Sequence, residues 1–312
     1  MIKPLFLLSS AVFFSFLTTE KTHAAEPITS INFFSFLPLN LFQNPPQDKG
    51  SSPNRVYVAH LENKGLGFST GYSSVGALLG PTHFLNDFSQ FLVDARAHVF
   101  NDGKAATNVG IGERFKSSGG QIFGINAFYD YRQDLSNCNQ VGIGFEMFSC
   151  YTNVVINGYV PVGNNSHRGK AHRNVFDEFI AVCRRKQRAL PGIDAEISTS
   201  VKNWLPCNNW NMTGAIGPYY YHKKCGEEVI GGRFRATFQY LDYLTLETRV
   251  TYDHVYGGIV QGVITLSYPI GKAKLRNCTP CSAERVREVM LQPIQRNEII
   301  VTRKHCSWKA NF

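Results

Sequence analysis

Residues 230–270, IGGRFRATFQYLDYLTLETRVTYDHVYGGIVQGVITLSYPI, repeat an alternation of apolar and polar side chains. Phe234 and Phe238, for example, alternate with Arg235 and Gln239. Because successive side chains of a strand point to opposite faces, each block has one apolar and one polar face. The polar face carries Arg, Asp, Glu, Thr and Gln, whereas the apolar face is rich in Tyr and Phe. This pattern favours an outer-membrane barrel with a polar lumen over a soluble sandwich.

The first residues indicate export. Lys3 precedes an apolar run, and small residues suitable for cleavage end at Ala24, so residues 1–24 are interpreted as a signal peptide. Residues 25–53 are predicted to be a flexible segment. No later apolar run reaches the roughly 18–20 residues of a spanning helix. A membrane-embedded mature chain must therefore cross as a closed barrel, because its backbone groups have no water to bond.

The alternation predicts an all-β, closed, antiparallel transmembrane barrel and marks eleven strands. Because bacterial barrels normally have an even number of strands, a twelfth is assigned to residues 54–63, and the barrel covers residues 54–271. Loop lengths support this count, since the long connections 163–191 and 223–228 then fall on one side and short turns on the other. The strands are expected near 54–63, 70–80, 89–100, 105–116, 120–132, 139–148, 151–162, 192–202, 209–222, 229–241, 244–256 and 259–270.

The inward phase of these strands carries charges of both signs, which either line a water-filled path or form a lattice of ion pairs that stiffens the barrel. Pairing lowers the cost of holding charges away from bulk water, and we favour the lattice. The predicted lumen-lining residues are Asp94, Arg96, Arg114, Asp130, Glu146, Asp194, Glu196, Arg233, Arg235, Glu247, Arg249 and Asp253.

Six motifs follow one another along the chain: Asn108–Phe115, Gly124–Tyr131, Val141–Glu146, Val155–Tyr159, Gly192–Glu196 and Met290–Val301. This ordered set resembles the barrel domain of inverse autotransporters, the intimin/invasin family. The resemblance covers about residues 54–304 and implies an outer-membrane translocator and anchor for a surface-exposed passenger. The last motif is similar to the family's linker, which re-enters the barrel.

Residues 272–312, with a net charge of +6, are predicted to be a tail that acts as a linker or plug. Ser282 can cap a short helix that Pro293 ends, and an extended run follows to Val301. We expect this helix and run to thread the pore, held by Arg285, Arg287 and Arg296; the alternative is an amphipathic helix in the periplasm. Few residues follow the linker motif, so we expect the passenger to be absent or vestigial.

Two functions are consistent with this fold. The first is an inverse-autotransporter translocator or anchor, and the alternative is a stand-alone porin-like or disulfide-reinforced structural envelope protein. Eight cysteines in an exported chain favour disulfides, although spacing does not fix their pairing. The candidates are Cys138, Cys150, Cys183, Cys207, Cys225, Cys278, Cys281 and Cys306.

We expect no enzyme, because His98 and His254 lack a nucleophile at suitable spacing, and we predict no cofactor or metal site. The net charge of +9 is concentrated in segment 163–191 and the tail, which argues against general nucleic-acid binding. The expected partners are outer-membrane lipid, lipopolysaccharide contacted by the basic segment, and barrel-assembly machinery reading Gly262 and Tyr268. We expect a monomer, with disulfide-linked envelope neighbours as a further option.

Overall fold

A computed structural model of the protein describes residues 54–80, 89–134, 137–149, 151–163, 166–176, 179–200, 210–222, 228–241, 243–270 and 289–311. The predicted signal peptide and the segment 25–53 lie outside these residues. No helix in the described part of the chain is long and apolar enough to span a membrane.

Twelve strands form a closed antiparallel barrel, which confirms the predicted fold class and strand number. Consecutive barrel strands pair with each other, except that β7 pairs with β10. The barrel closes where β14 pairs with β1, from Arg55 opposite Pro269 to Glu62 opposite Gly262. The strands are β1 (Arg55–Glu62), β2 (Tyr72–Leu79), β3 (Ser89–Phe100), β4 (Ala105–Lys116), β5 (Ile122–Gln133), β6 (Asn137–Phe148), β7 (Thr152–Val162), β10 (Gly192–Ser200), β11 (Trp210–Tyr221), β12 (Val229–Tyr240), β13 (Leu244–Asp253) and β14 (Gly257–Pro269).

The two faces of the barrel wall differ in polarity, as the sequence predicts: the outward face is apolar and the inward face is charged. Outward apolar side chains are open to the surroundings, with Phe234 49% and Ile264 46% exposed. Inward charged side chains are covered, and Asp94 and Asp130 are fully buried. A one-residue slip would exchange the two sets, so the register is strongly specified wherever one face meets lipid and the other a charged lumen.

A second, three-stranded sheet lies at the end of the barrel where β7 ends and β10 begins, which we call the hairpin end. Its strands are β8 (Ser166–Phe176), β9 (Phe179–Ala189) and β15 (Thr302–Asn311), in the order β15–β9–β8. The sequence predicted a long loop connection over 163–191, which is wrong because β8 and β9 lie there. It predicted a linker or plug over 272–312 without a strand after Val301, where β15 lies. The hairpin offers an unpaired edge, and the tail completes its hydrogen bonds by strand addition.

The predicted helix in the pore is also not supported. Most of its residues lie outside the described chain, and the described part, residues 289–301, is extended or irregular after a single turn at 289–290. A helix would use its carbonyl groups internally. Here those groups bind side chains of the barrel wall instead, as described below.

The two faces make a testable difference in stability. Ile264→Arg, near the middle of β14, places a charge against lipid and is expected to lower the free energy of unfolding by about 2–4 kcal/mol. Thr265→Arg on the neighbouring inward position should cost much less, because Thr265 borders a polar cavity. Urea titration in lipid vesicles measures both, and equal losses would contradict the assigned phase.

Candidate functional site: the lumen and the segment inside it

Residues 289–301, which we call the lumenal segment, cross the interior of the barrel without a strand partner. A chain in this position has backbone carbonyls that must be hydrogen-bonded by other groups. Four arginines of the barrel wall supply the donors. Arg55 donates to the carbonyl of Leu291 (3.1 Å), Arg96 to Ile294 (2.9 Å), Arg132 to Ile300 (2.6 Å), and Arg114 to Val289 (3.1 Å), Met290 (3.2 Å) and Gln292 (2.6 Å).

Arg114 shows how one guanidinium serves both wall and segment. Its Nε and Nη2 form a two-point contact with the carboxylate of Glu146, at 2.8 and 3.0 Å, while Nη1 faces the segment. The guanidinium also lies 5.1 Å from the ring centroid of Phe148. An arginine has five N–H donors in a fixed planar arrangement, so this division of its donors is possible for arginine and not for lysine.

Two further ion pairs join charged groups of the segment to the wall. Arg96 binds Asp94 at 2.5 Å on its own strand and Glu298 of the segment at 2.6 Å. Arg296 of the segment binds Asp130 at 2.5 Å, with its guanidinium 4.2 Å from the ring centroid of Phe128. The segment therefore contributes one cation and one anion, each opposite a charge of the wall.

The carboxylate of Asp130 is held by more than Arg296. Asn108 donates to it at 2.7 Å and Gln140 at 3.2 Å. Asn108 also donates to the carbonyl of Glu298 at 2.8 Å and contacts His98 at 2.7 Å. His98 therefore belongs to a polar network around the segment. Its two ring nitrogens contact Ser74 and Asn108, which are both residues of the wall.

Asp194 anchors the segment through intermediaries. It accepts hydrogen bonds from Asn157 and from the hydroxyl of Tyr159, both at 2.9 Å. The Tyr159 oxygen accepts in turn from the backbone N–H of Asn297 at 2.8 Å. Asp194 therefore orients the tyrosine that binds the segment.

The remaining predicted lumen residues lie on the other side of the barrel. Arg235 pairs with both Glu196 and Glu247, and Arg249 pairs with Glu247. Arg233 is half-buried on the same strand as Arg235. Between this wall and the segment lies a polar cavity of about 240 Å³, bordered by hydroxyl and amide groups such as Thr237 and Gln292.

Asp253 has a local role at the hairpin end. It accepts a hydrogen bond from the hydroxyl of Tyr219 at 2.6 Å and from the backbone N–H groups of Val255 and Tyr256 in the turn that follows. The same turn reaches the tail, because the hydroxyl of Tyr256 donates to the carbonyl of Thr302 at 3.2 Å. Burial raises the pKa of Tyr256 to about 12, which keeps this donor protonated.

Apolar side chains close around the segment at the hairpin end, in an arrangement that we call the apolar collar. Three consecutive residues of the segment enter three different clusters of the wall. Their wall partners, with the segment residue first, are Ile299 with Leu61, Tyr72, Phe100 and Ala106; Ile300 with Cys138 and Ala189; and Val301 with Leu66, Tyr159, Leu190, Tyr219, Tyr221, Val229 and Ile259.

Above the collar, the carboxylate of Asp134 binds two cations and one side-chain amide from three different parts of the chain. This carboxylate lies 3.1 Å from Arg132, 3.1 Å from Lys104 and 2.7 Å from the amide of Gln187 in β9. Burial lowers the pKa of Lys104, but the hydrogen bonds that its ammonium donates to Asp102 and Asp134 outweigh this effect and raise that pKa above its ordinary value. Lys104 therefore stays charged and ties the β3–β4 turn to the hairpin.

Inward glycines make room for the segment. A Cβ atom at Gly142 would lie 2.8 Å from Nη2 of Arg296, and one at Gly112 would lie 2.9 Å from Cδ1 of Ile294. Gly67, with a φ of +77°, lets its loop approach Thr302, since a Cβ there would lie 2.4 Å from the Thr302 nitrogen. Glycine is the residue that tolerates both the close approach and the positive φ.

Several predicted residues cannot be placed in this site. Arg285 and Arg287 lie outside the described residues, as do Cys150, Cys207, Cys225, Cys278 and Cys281. For Cys183 and Cys306 the backbone is described but the side chains are not. Cys138 is fully buried in the collar. Among the described residues, no group of three or more His, Cys, Asp and Glu is arranged to hold a metal ion.

A family model described as inverse autotransporter, beta-domain, matches residues 69–221, which span β11 and most of the strands before it. Residues 69–221 are an inverse autotransporter beta-domain. The chain is therefore a barrel of the bacterial outer membrane, and the barrels of this family act as translocators and anchors rather than as enzymes. No curated protein is significantly similar to the chain.

The fold of this barrel resembles that of a solved membrane protein. A membrane protein from work on the mechanism of in-meso crystallization has a TM-score of 0.56 and 16% identity, over 81% of this chain and 99% of that chain. The COG4313 outer membrane channel from Pseudomonas putida F1 has a TM-score of 0.46 and 7% identity, over 72% and 98%. At these identities the likeness concerns the fold alone.

The ion pair between Arg296 and Asp130 can be tested by a double-mutant cycle. Asp130→Asn alone leaves a buried guanidinium without its counter-charge and should lower the free energy of unfolding by about 3–5 kcal/mol. Adding Arg296→Gln should recover part of that loss, with a coupling of about 0.5–3 kcal/mol. The cycle is measured by urea unfolding in lipid vesicles. Strict additivity of the two changes would contradict the pair.

The inward glycine Gly142, which lies against Arg296, gives a second test of the segment's position. Gly142→Val should destabilise the full chain, because the new side chain meets Arg296, yet have little effect once residues 272–312 are deleted. Gly158→Val is the matched control, since a Cβ at Gly158 meets nothing within 4 Å. The measurement is the midpoint of thermal unfolding. Equal effects of Gly142→Val with and without the tail would place the segment elsewhere.

Proposed function

We propose that this barrel is a non-catalytic anchor that holds its own C-terminal segment in the lumen and delivers it to the outer surface. One observation carries the proposal: the lumenal segment is hydrogen-bonded to the wall along its length, from Val289 to Ile300. Immediately afterwards, Thr302–Asn311 becomes a strand of the sheet at the hairpin end. The chain therefore passes from one end of the barrel to the other.

The hairpin end of the barrel faces the outside of the cell in this function, and the opposite end faces the periplasm. The hairpin end carries the longest connection and is placed outside, because outer-membrane barrels have short periplasmic turns and longer outside loops. The opposite end carries short turns such as 241–243. Gly262, Leu266 and Tyr268 lie on β14, the strand that closes the barrel, where barrel-assembly machinery would recognise them.

A stand-alone pore is less well supported by the same geometry. The polar cavity beside the segment is bordered at the hairpin end by Leu61, Tyr72 and Val263. Leu61 and Tyr72 belong to the apolar collar, in which Ile299 is buried, and Val263 packs against it. The hydrocarbon surfaces that meet there offer little hydration to a passing ion.

Conductance of the refolded protein in planar bilayers tests the proposal. The full chain should conduct little, and deletion of residues 272–312 should give a larger, steady conductance, because the segment and its collar contacts are gone. Deletion of residues 302–312 is the control, since it removes β15 but leaves the collar and should stay nearly closed. Unchanged conductance after the longer deletion would show that the lumen does not hold the segment.

Delivery to the surface requires a separate readout, because a plug and an anchor would both block conductance. An epitope tag added after Phe312 should be digested by protease in intact cells, whereas a tag in the turn 117–121 should be protected. Protection of the C-terminal tag would contradict an anchor that displays its tail, even if the segment still closes the pore.

A further inference from the structure

The three-stranded sheet at the hairpin end is unusually basic. Its three strands contain ten Lys and Arg and no Asp or Glu. Asp177 and Glu178 lie between β8 and β9. The cations are Arg168, Lys170, Arg173, Arg184, Arg185, Lys186, Arg188, Arg303, Lys304 and Lys309.

Strand register sorts these cations by face. Along β9, residues 184, 186 and 188 alternate with 183, 185, 187 and 189, so the two series belong to opposite faces. Gln187 and Ala189 are buried against the barrel mouth, which identifies their face as the covered one. Arg188 and Arg303, on the other face, are partly exposed.

Seven of the ten cations share the face of Arg188, and we call this set the cationic face. Two others, Arg185 and Lys304, are on the covered face, and Lys170 lies within the register shift between Arg168 and Ala171. The cationic face comprises Arg168, Arg173, Arg184, Lys186, Arg188, Arg303 and Lys309.

Several of these residues are direct cross-strand neighbours of the same charge. Arg188 is opposite Arg303, and Lys186 is opposite Arg168. Neighbouring strands are about 4.8 Å apart, and alternate residues on a strand about 7 Å apart. Like charges directly opposite each other destabilise a sheet. An anion with several negative groups bound across these positions would offset this cost.

We infer that the cationic face binds the phosphate groups of lipopolysaccharide in the same outer membrane. This inference rests on the proposed function, since it requires the hairpin end to face outward. The charges are spread across three strands rather than along a single row. This arrangement matches phosphate groups clustered on one molecule better than the charges of a single linear polyanion. Guanidinium groups bind phosphate oxygens in two-point contacts. The barrel anchors the sheet in the membrane that contains this lipid, which raises the effective concentration of the phosphate groups.

The test uses the full chain in phosphatidylcholine nanodiscs and the deacylated, phosphorylated oligosaccharide of a deep-rough lipopolysaccharide as the fluorescent probe. Binding is followed by anisotropy at low salt. Arg168→Gln combined with Lys186→Gln should weaken binding about tenfold, or roughly 1.4 kcal/mol. Arg185→Gln combined with Lys304→Gln removes the same charge from the covered face and should change affinity less than twofold. Binding by the unaltered chain should also weaken as salt rises.

Four outcomes would overturn the inference: no binding of the phosphorylated probe, equal binding after enzymatic dephosphorylation, equal weakening by both double variants, or tighter binding of a sulfated glycan such as a heparin fragment. Deletion of residues 302–312 should also weaken binding while leaving conductance low. The conductance of the same preparations reports on the proposed function separately, so a closed pore without probe binding would reject only the cationic face.

Discussion

A polypeptide that crosses a barrel interior without a strand partner must find a hydrogen-bond donor for each buried carbonyl group. The rest of the lumen is organised around this requirement. Guanidinium groups of β1, β3, β4 and β5 donate to six of these carbonyls. The side-chain amide of Asn108 donates to the carbonyl of Glu298. Leaving such a carbonyl unbonded would cost about 1–3 kcal/mol for each group.

The same requirement explains why carboxylates accompany these arginines. A buried guanidinium needs a counter-charge, and a carboxylate that accepts two of its N–H groups leaves others for the segment. Arg114 with Glu146 and Arg96 with Asp94 follow this pattern. The charged lattice predicted from sequence is therefore also a set of oriented donors. Its function is to hold a backbone, in addition to pairing charges across the wall.

The barrel was predictable because its pattern is local. Period-2 alternation places Phe234 outward and Arg235 inward whatever the rest of the chain does. The strands β8 and β15 were not predictable in this way, since both of their faces carry polar residues and β15 depends on an edge supplied from far along the chain.

The contacts of the lumenal segment were missed for a similar reason. The sequence shows that Arg114 faces inward, but the carbonyls that it binds are far away in the chain and carry no side-chain signal. Arg296 was expected to meet a lumen carboxylate, and it lies against Asp130. The inward glycines Gly112 on β4 and Gly142 on β6 were the available signal, because small residues at inward positions on either side of one strand indicate a close approach of another chain.

The two sides of the lumen depend on the segment to different degrees. On one side, Arg235, Glu196, Glu247 and Arg249 satisfy one another and border a polar cavity. On the other side, Asp130 has its closest contact with Arg296 of the segment. The first wall can therefore form before the segment enters, whereas the second is complete only with the segment in place. Insertion is favoured on this side, because Arg296 of the segment supplies the counter-charge of Asp130, which the empty barrel would leave to water.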